Sequence, residues 1–264
     1  VTMPESLSWL PRIAGALVLV LAAMGISRWQ NVGLEREMLV AVVRAFIQLI
    51  LIGYALDLIF GTEGPFWILL VVAVMITIAG YTAGKRGKNV PRGQFVATAS
   101  VSVGALLTLG LLILLDVFPF EPRYIIPIAG MVVGNSMTVT GLVMARLRDD
   151  VRLQKPQIEA ALALGATRRQ ASQLQMRRAL STGMTPIVDS TKTVGLIALP
   201  GAMTGMILAG ASPLEAVQLQ IIVMYMLIGA GAFAGLTATF LTTRQFFTAA
   251  HQLALPPDAE AARR

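Results

Sequence analysis

The chain has 264 residues, of which 56% are hydrophobic and only 13% charged, with a net charge of +7 and a mean hydropathy of +0.73. A soluble domain carries about a quarter charged residues, so this composition excludes an ordinary water-soluble fold and points to a bilayer as the solvent. The absence of cysteine excludes disulfides, thiolate metal sites and cysteine chemistry. The basic residues flank apolar runs instead of forming one face, so they read as topology signals and not as a nucleic-acid surface.

Crossing about 30 Å of hydrocarbon takes about 20 helical residues. Seven stretches reach that length: Leu10–Ser27, Met38–Phe60, Pro65–Thr82, Phe95–Val117, Ile125–Ala145, Pro186–Gly210 and Val217–Thr243. The first has no basic leader and no small-residue cleavage site, so it is expected to be a retained helix. Gly61 to Pro65, the basic run Lys85-Arg86-Gly87-Lys88, Pro119 to Arg123, and Ala211-Ser212-Pro213 supply the breaks between spans. The fold class is an all-α integral membrane protein of about seven transmembrane helices. Residues 1–264 are expected to form a single domain, ending in a flexible tail over 247–264.

Lys and Arg set the orientation. Two of them, Arg12 in the N-terminal segment and Arg123 in the loop after span four, lie on one side. Seventeen follow odd-numbered spans or lie in the tail, and Arg44 and Lys192 sit inside apolar runs. The positive-inside rule then puts the N-terminus outside and the C-terminus in the cytoplasm.

The segment 146–185, between spans five and six, is the one long loop. Pro156 suits a first helical turn, with Ile158, Ala161 and Leu162 on one side and Glu159 in that turn. Gly165 is a natural stop. Thr167-Arg168-Arg169-Gln170 reads as a capping box that opens a second helix to about Leu180. The two arginines lie at that helix's positive end, which an acidic partner or a lipid headgroup would relieve. By pattern alone a solvated basic loop that fixes topology accounts for the segment equally well.

Within it, Glu159-Ala160-Ala161-Leu162-Ala163-Leu164-Gly165 resembles the EAA-x-x-x-G signature with which bacterial ABC permeases dock a short cytoplasmic helix into their ATPase. The Ile-x-Leu-Pro that ends the importer version is absent; Gln175-Met176-Arg177 stands in its place. Longer strings resemble the FetB-type (UPF0014) permeases: Arg44-Ala45-Phe46-Ile47-Gln48-Leu49, Gly130 to Met137, Leu162 to Thr167, and Leu199 to Leu208. The likeness runs in order over residues 38–246. It implies an ABC permease domain with 146–185 as its coupling loop, a FetA-like ATP-binding subunit and a second copy of the chain as partners, and a place in the cell (inner) membrane. That family includes bacterial iron exporters and plant aluminium-tolerance proteins, so the implied activity is ATP-driven export of iron or another metal. The alternatives are an ABC permease for a different solute, such as a nucleotide sugar, and an ATPase-independent secondary transporter or channel. The coupling residues implied are Glu159, Ala160, Ala161, Gly165, Thr167 and Arg168.

Polar and kinked positions inside the spans are candidates for a translocation path. Arg44 and Gln48 share a helix face, although Arg44 lies only about 10 Å in from Met38 and could snorkel. Asn135 and Ser136 sit mid-span, where amides and hydroxyls also serve as glue between helices. Asp189 and Lys192 are placed for a pair, structural or gating. Pro200-Gly201 and Gly205 interrupt span six, which singles out Met203 and Met206 beside them. Among the 13 methionines, Met131 and Met137 are the remaining metal candidates, against the rule that thioether suits soft ions while ferrous iron prefers imidazole and carboxylate. No G-x-x-x-x-G-K-[ST] occurs, so ATP and Mg belong to a partner and the chain is expected to bind no cofactor. The sole histidine, His251, lies in the tail, away from any serine that needs a base, so enzymatic chemistry is not expected.

Overall fold

The computed structural model describes residues 10–60, 64–248 and 250–255. Among them there are helices and two isolated bridges, and no strands. The chain divides into two compact units, Val1–Glu63 and Gly64–Arg264.

The first unit holds α1 (Leu10–Trp29) and α2 (Glu35–Phe60). Asn31 and Gly33 take positive φ in the connection, and the buried Ser27 hydroxyl accepts from the Leu34 amide at 3.2 Å. Glu35 and Glu37 in the first turn of α2 favour its positive end.

The second unit contains α3 (Pro65–Arg86), α4 (Gly93–Leu114), α5 (Pro122–Leu153), α6 (Lys155–Ala163), α7 (Arg168–Ala171), α8 (Gln173–Thr193), α9 (Gly201–Leu208) and α10 (Pro213–Gln245). Helices α2, α3, α4, α5 and α10 are long and apolar enough to cross a membrane, and α1 is a shorter apolar helix. In the bundle α3 packs on α4 and α5, while α10 packs on α4, α5 and α8. Its core stripes are small: Ala79, Ala83, Ala97, Ala105, Ala129, Ala230, Ala234 and Ala238 are buried. Lipid gives little hydrophobic drive between helices, so close backbone approach through small residues supplies the packing.

The expected sixth span, Pro186–Gly210, is not one helix. Helix α8 ends at Thr193, residues 194–200 are irregular, and α9 begins after Pro200. Gly195 at φ 81 turns the chain so that its amide meets the Ala198 carbonyl at 3.0 Å, and Pro200 fixes an extended residue at the start of α9. The polar residues of α8, Asp189 to Thr193, also leave it short of a continuous apolar span.

The segment 146–185 is likewise more helical than a loop. Helix α5 extends to Leu153, and α8 passes through Thr185 and Pro186 without a stop at Leu180. The tail is a second correction: Phe246 and Phe247 are buried, Phe247 bridges Leu253, and the Ala254 amide donates to the Phe246 carbonyl at 2.8 Å. Burial of these two aromatic rings accompanies the return of 250–255 onto the bundle; residue 249 and residues 256–264 lie outside the described residues.

At Gly104 a β-carbon would lie 2.7 Å from Ala234 Cβ and 2.8 Å from Ser136 Oγ. Gly104→Val therefore overpacks the meeting of α4, α5 and α10, whereas Gly110→Val on the same helix meets nothing within 4 Å. The first is expected to be less stable than the second by about 1–3 kcal/mol, read as a lower melting temperature in detergent; equal melting would refute the seam.

Candidate functional site

Two regions gather the residues singled out above. The first is the turn between α6 and α7. Pro156 opens α6, and Ile158, 1% exposed, anchors it to the core. Its end is a Schellman motif: Gly165 N–H donates to the Leu162 carbonyl and Ala166 N–H to the Ala161 carbonyl, both at 3.0 Å. Gly165 has φ +89, the left-handed conformation that favours glycine. Thr167 and Gln170 then form the reciprocal capping box of α7. Gln175 Nε2 donates to Gln154 Oε1 at 2.8 Å, fastening the α5–α6 junction to α8.

Glu159 is not in the first turn, because α6 begins at Lys155, which pairs with it at 3.7 Å. Both side chains are about half exposed, so this pair contributes little to stability. Ala160 and Leu164 face solvent, Leu164 at 89%, and Ala161 is half-buried. One finding lay beyond sequence reasoning: the tail docks here. His251, at φ 59, accepts the Arg168 amide on Nδ1 at 3.4 Å, and Ala250 to Leu253 wall a cleft of about 380 Å³ with Glu159, Leu162 and Ala163.

The second region is a cavity of about 310 Å³ between the end of α8, the irregular segment, α9 and α10. Thr191, Gly195, Met203, Gln220, Met224 and Tyr225 line it. Thr191 Oγ1 donates to the Ile187 carbonyl at 2.7 Å and lies 3.8 Å from Met224 Sδ. Gln220 is 6% exposed, and its Nε2 has no partner. A buried, unsatisfied donor on a cavity wall is a place for a ligand acceptor. Of the expected path residues only Met203 reaches this cavity. Gln220, Met224 and Thr191 were missed, although a lone amide in Leu219-Gln220-Ile221-Ile222 was a readable signal.

The other candidates are dispersed. Asn135 Nδ2 donates to the Leu227 carbonyl of α10 at 2.7 Å, and Ser136 is fully buried beside Gly104, so both sit at the packing of α5 against its neighbours. Met131 and Met137 are half-buried against the apolar core, and Met206 is half-buried on α9 away from the cavity lining. Asp189 and Lys192 pair at 3.4 Å but are 60% and 70% exposed. Arg44 and Gln48 are exposed on α2. No group of three His, Asp or Glu side chains that could hold a metal occurs among the described residues.

The turn itself is testable. Gly165→Val forces a β-branched residue to positive φ and is expected to cost about 1–2 kcal/mol, with Gly165→Asn costing less because Asn tolerates that conformation. Thermal unfolding of the two variants, side by side, reads the difference; equal stability would mean that the turn relaxes.

The family model for "Uncharacterised protein family (UPF0014)" matches residues 10–247. "Protein ALUMINUM SENSITIVE 3" of Arabidopsis thaliana is 56% identical over 91% of this chain and 88% of its own length. "UPF0014 membrane protein STAR2" of Oryza sativa subsp. japonica is 55% identical, covering 90% and 84%. "Probable iron export permease protein FetB" of Escherichia coli (strain K12) is 40% identical over 91% of this chain and 93% of its own. No solved structure matches the chain. Five long apolar helices, a family model over nearly the whole described fold and relatives of this identity make the chain a member of the UPF0014 family of multi-pass membrane proteins, of the FetB type.

Proposed function

We propose that the chain is the membrane permease subunit of an ATP-driven exporter, working as a homodimer with two copies of a separate ATP-binding subunit in the cell (inner) membrane. The observation that carries this reading is the short helix α6, ended by the Gly165 turn and leaving Ala160 and Leu164 exposed for a partner to grip. Glu159, Ala160, Ala161, Gly165, Thr167 and Arg168 form the coupling element, and ATP with its Mg stays on the partner. Helix α8 carries the motion. It starts beside the α7 cap and ends at Thr191 and Val194 on the cavity wall, a helix of about 30 Å at 1.5 Å per residue. Irregular backbone at membrane depth is tolerated against protein or a cavity, which supports residues 194–203 as the gate.

The cargo is a metal, on the strength of the name carried by the Escherichia coli relative. The cavity offers thioethers, an amide and a phenol, with no carboxylate or imidazole. Ferrous iron prefers those missing ligands, and a bare ion in apolar surroundings is costly. The lining therefore favours a metal that crosses wrapped in an uncharged chelate. The chain does no chemistry on it: Ser136 is locked in packing, and His251 is on the tail.

Three arms of one reconstitution experiment separate the parts of this reading. Glu159→Arg is expected to lose co-purification of the ATPase subunit and ATP-dependent metal export together. Gln220→Leu and Met203→Ala are expected to keep ATPase binding and to lower export severalfold. Export by the chain alone, without ATPase, would replace this reading with a secondary transporter.

Orientation, N-terminus outside and C-terminus cytoplasmic, rests on the distribution of Lys and Arg. Single cysteines at Lys88 and Ala211 are expected to label from opposite faces of the membrane in intact cells; labelling from one face would refute it. Ala211 is chosen because the adjacent Ser212 side chain caps α10.

A further inference from the structure

Two acid-free stretches of the second unit leave five arginines without a paired carboxylate among the described residues. From Ala160 to Val188 and from Ala216 to Leu255 the sequence contains no Asp or Glu. Among the described residues, no carboxylate pairs with Arg168, Arg169, Arg177, Arg178 or Arg244. Three of the five, Arg168, Arg169 and Arg244, line one cleft of about 140 Å³ between α7, α8 and the last turn of α10. Its remaining lining is Met176, Phe240 and Thr243. The Thr243 hydroxyl is already given to the Thr239 carbonyl at 2.7 Å, so the guanidinium groups are the free donors.

We propose that this cleft binds the phosphate of an anionic phospholipid headgroup. Three like charges around one small cavity repel each other until an anion enters. Guanidinium forks match phosphate oxygens two at a time. The lipid, and not a free anion, is the occupant because of where the cleft lies. Arg244 stands in the last turn of α10, a helix long and apolar enough to span the membrane, so the cleft opens at the headgroup level. Phe240, one turn back along α10 and 56% exposed, and the half-buried Met176 give the glycerol and upper acyl carbons an apolar seat beside the charges. A lipid seated there ties α7, which follows the Gly165 turn directly, to a membrane-spanning helix.

The test uses the full chain in nanodiscs of phosphatidylcholine doped with phosphatidylglycerol, and native mass spectrometry to count lipids retained after ejection. The wild type is expected to retain phosphatidylglycerol over phosphatidylcholine. Arg168→Gln/Arg169→Gln/Arg244→Gln is expected to retain about tenfold less, since three charge-assisted contacts go, while Arg177→Gln/Arg178→Gln retains the wild-type amount. If the triple variant does not purify, Arg244→Gln alone reads the same loss in part. Equal retention of the two lipids, or wild-type retention in the cleft variants, overturns the site. An equal loss in the Arg177 and Arg178 control overturns it in favour of a diffuse basic surface. Displacement of the lipid by inorganic phosphate overturns it in favour of a free-anion site.

Discussion

The second unit hangs on the close approach of α4, α5 and α10. Gly104 leaves room for Ala234 and Ser136, and the Asn135 amide reaches across to the Leu227 carbonyl at 2.7 Å. In water such a seam would be one contribution among many. Between lipid-solvated helices it is a larger share, because burying leucine against leucine gains little when the alternative is an acyl chain. Van der Waals contact between backbones and a few interhelical hydrogen bonds then fix which faces meet. The same seam explains why Asn135 and Ser136 are spent on packing.

Once those three helices are set, the position of α8 follows. Gly183 and Gly235 let it lie close against α5 and α10. Its two ends serve different regions: the α7 cap and Gln175 at one, Thr191 and the cavity at the other. Helix α8 continues through Pro186, whose ring removes one hydrogen bond from its interior. Beyond its end, local turns and not helix bonds satisfy part of the backbone of segment 194–200.

The polar face of this unit is organised by charge scarcity. Acidic residues are absent from both of the long stretches that build α7, most of α8, most of α10 and the folded tail. Among the described residues, the guanidinium groups there have no paired carboxylate. The tail turn at His251 packs against the cap of α7.

What could be read from the sequence was local or compositional. The apolar runs named five long helices and α1, because desolvating a backbone in lipid leaves helix as the economical choice. The Gly165 stop and the Thr167 capping box were visible because both are set by bonds within a few residues. The break in the sixth span was visible as Pro200-Gly201, but not its consequence. Whether α8 stops, how 194–200 turns and what lines the resulting cavity depend on packing against α10, a separate helix later in the chain. Gln220 looked like any amide in an apolar helix until α8, the irregular segment and α9 closed around it. The tail looked frayed because its composition is polar, yet Phe246 and Phe247 found the bundle and carried His251 to Arg168. The sequence by itself determined that this is a helical membrane protein with a capped turn after α6, since hydropathy and capping act at short range. Only the tertiary structure decided which polar side chains are glue, which line a cavity and which arginines converge, since those outcomes depend on helices distant in sequence coming together.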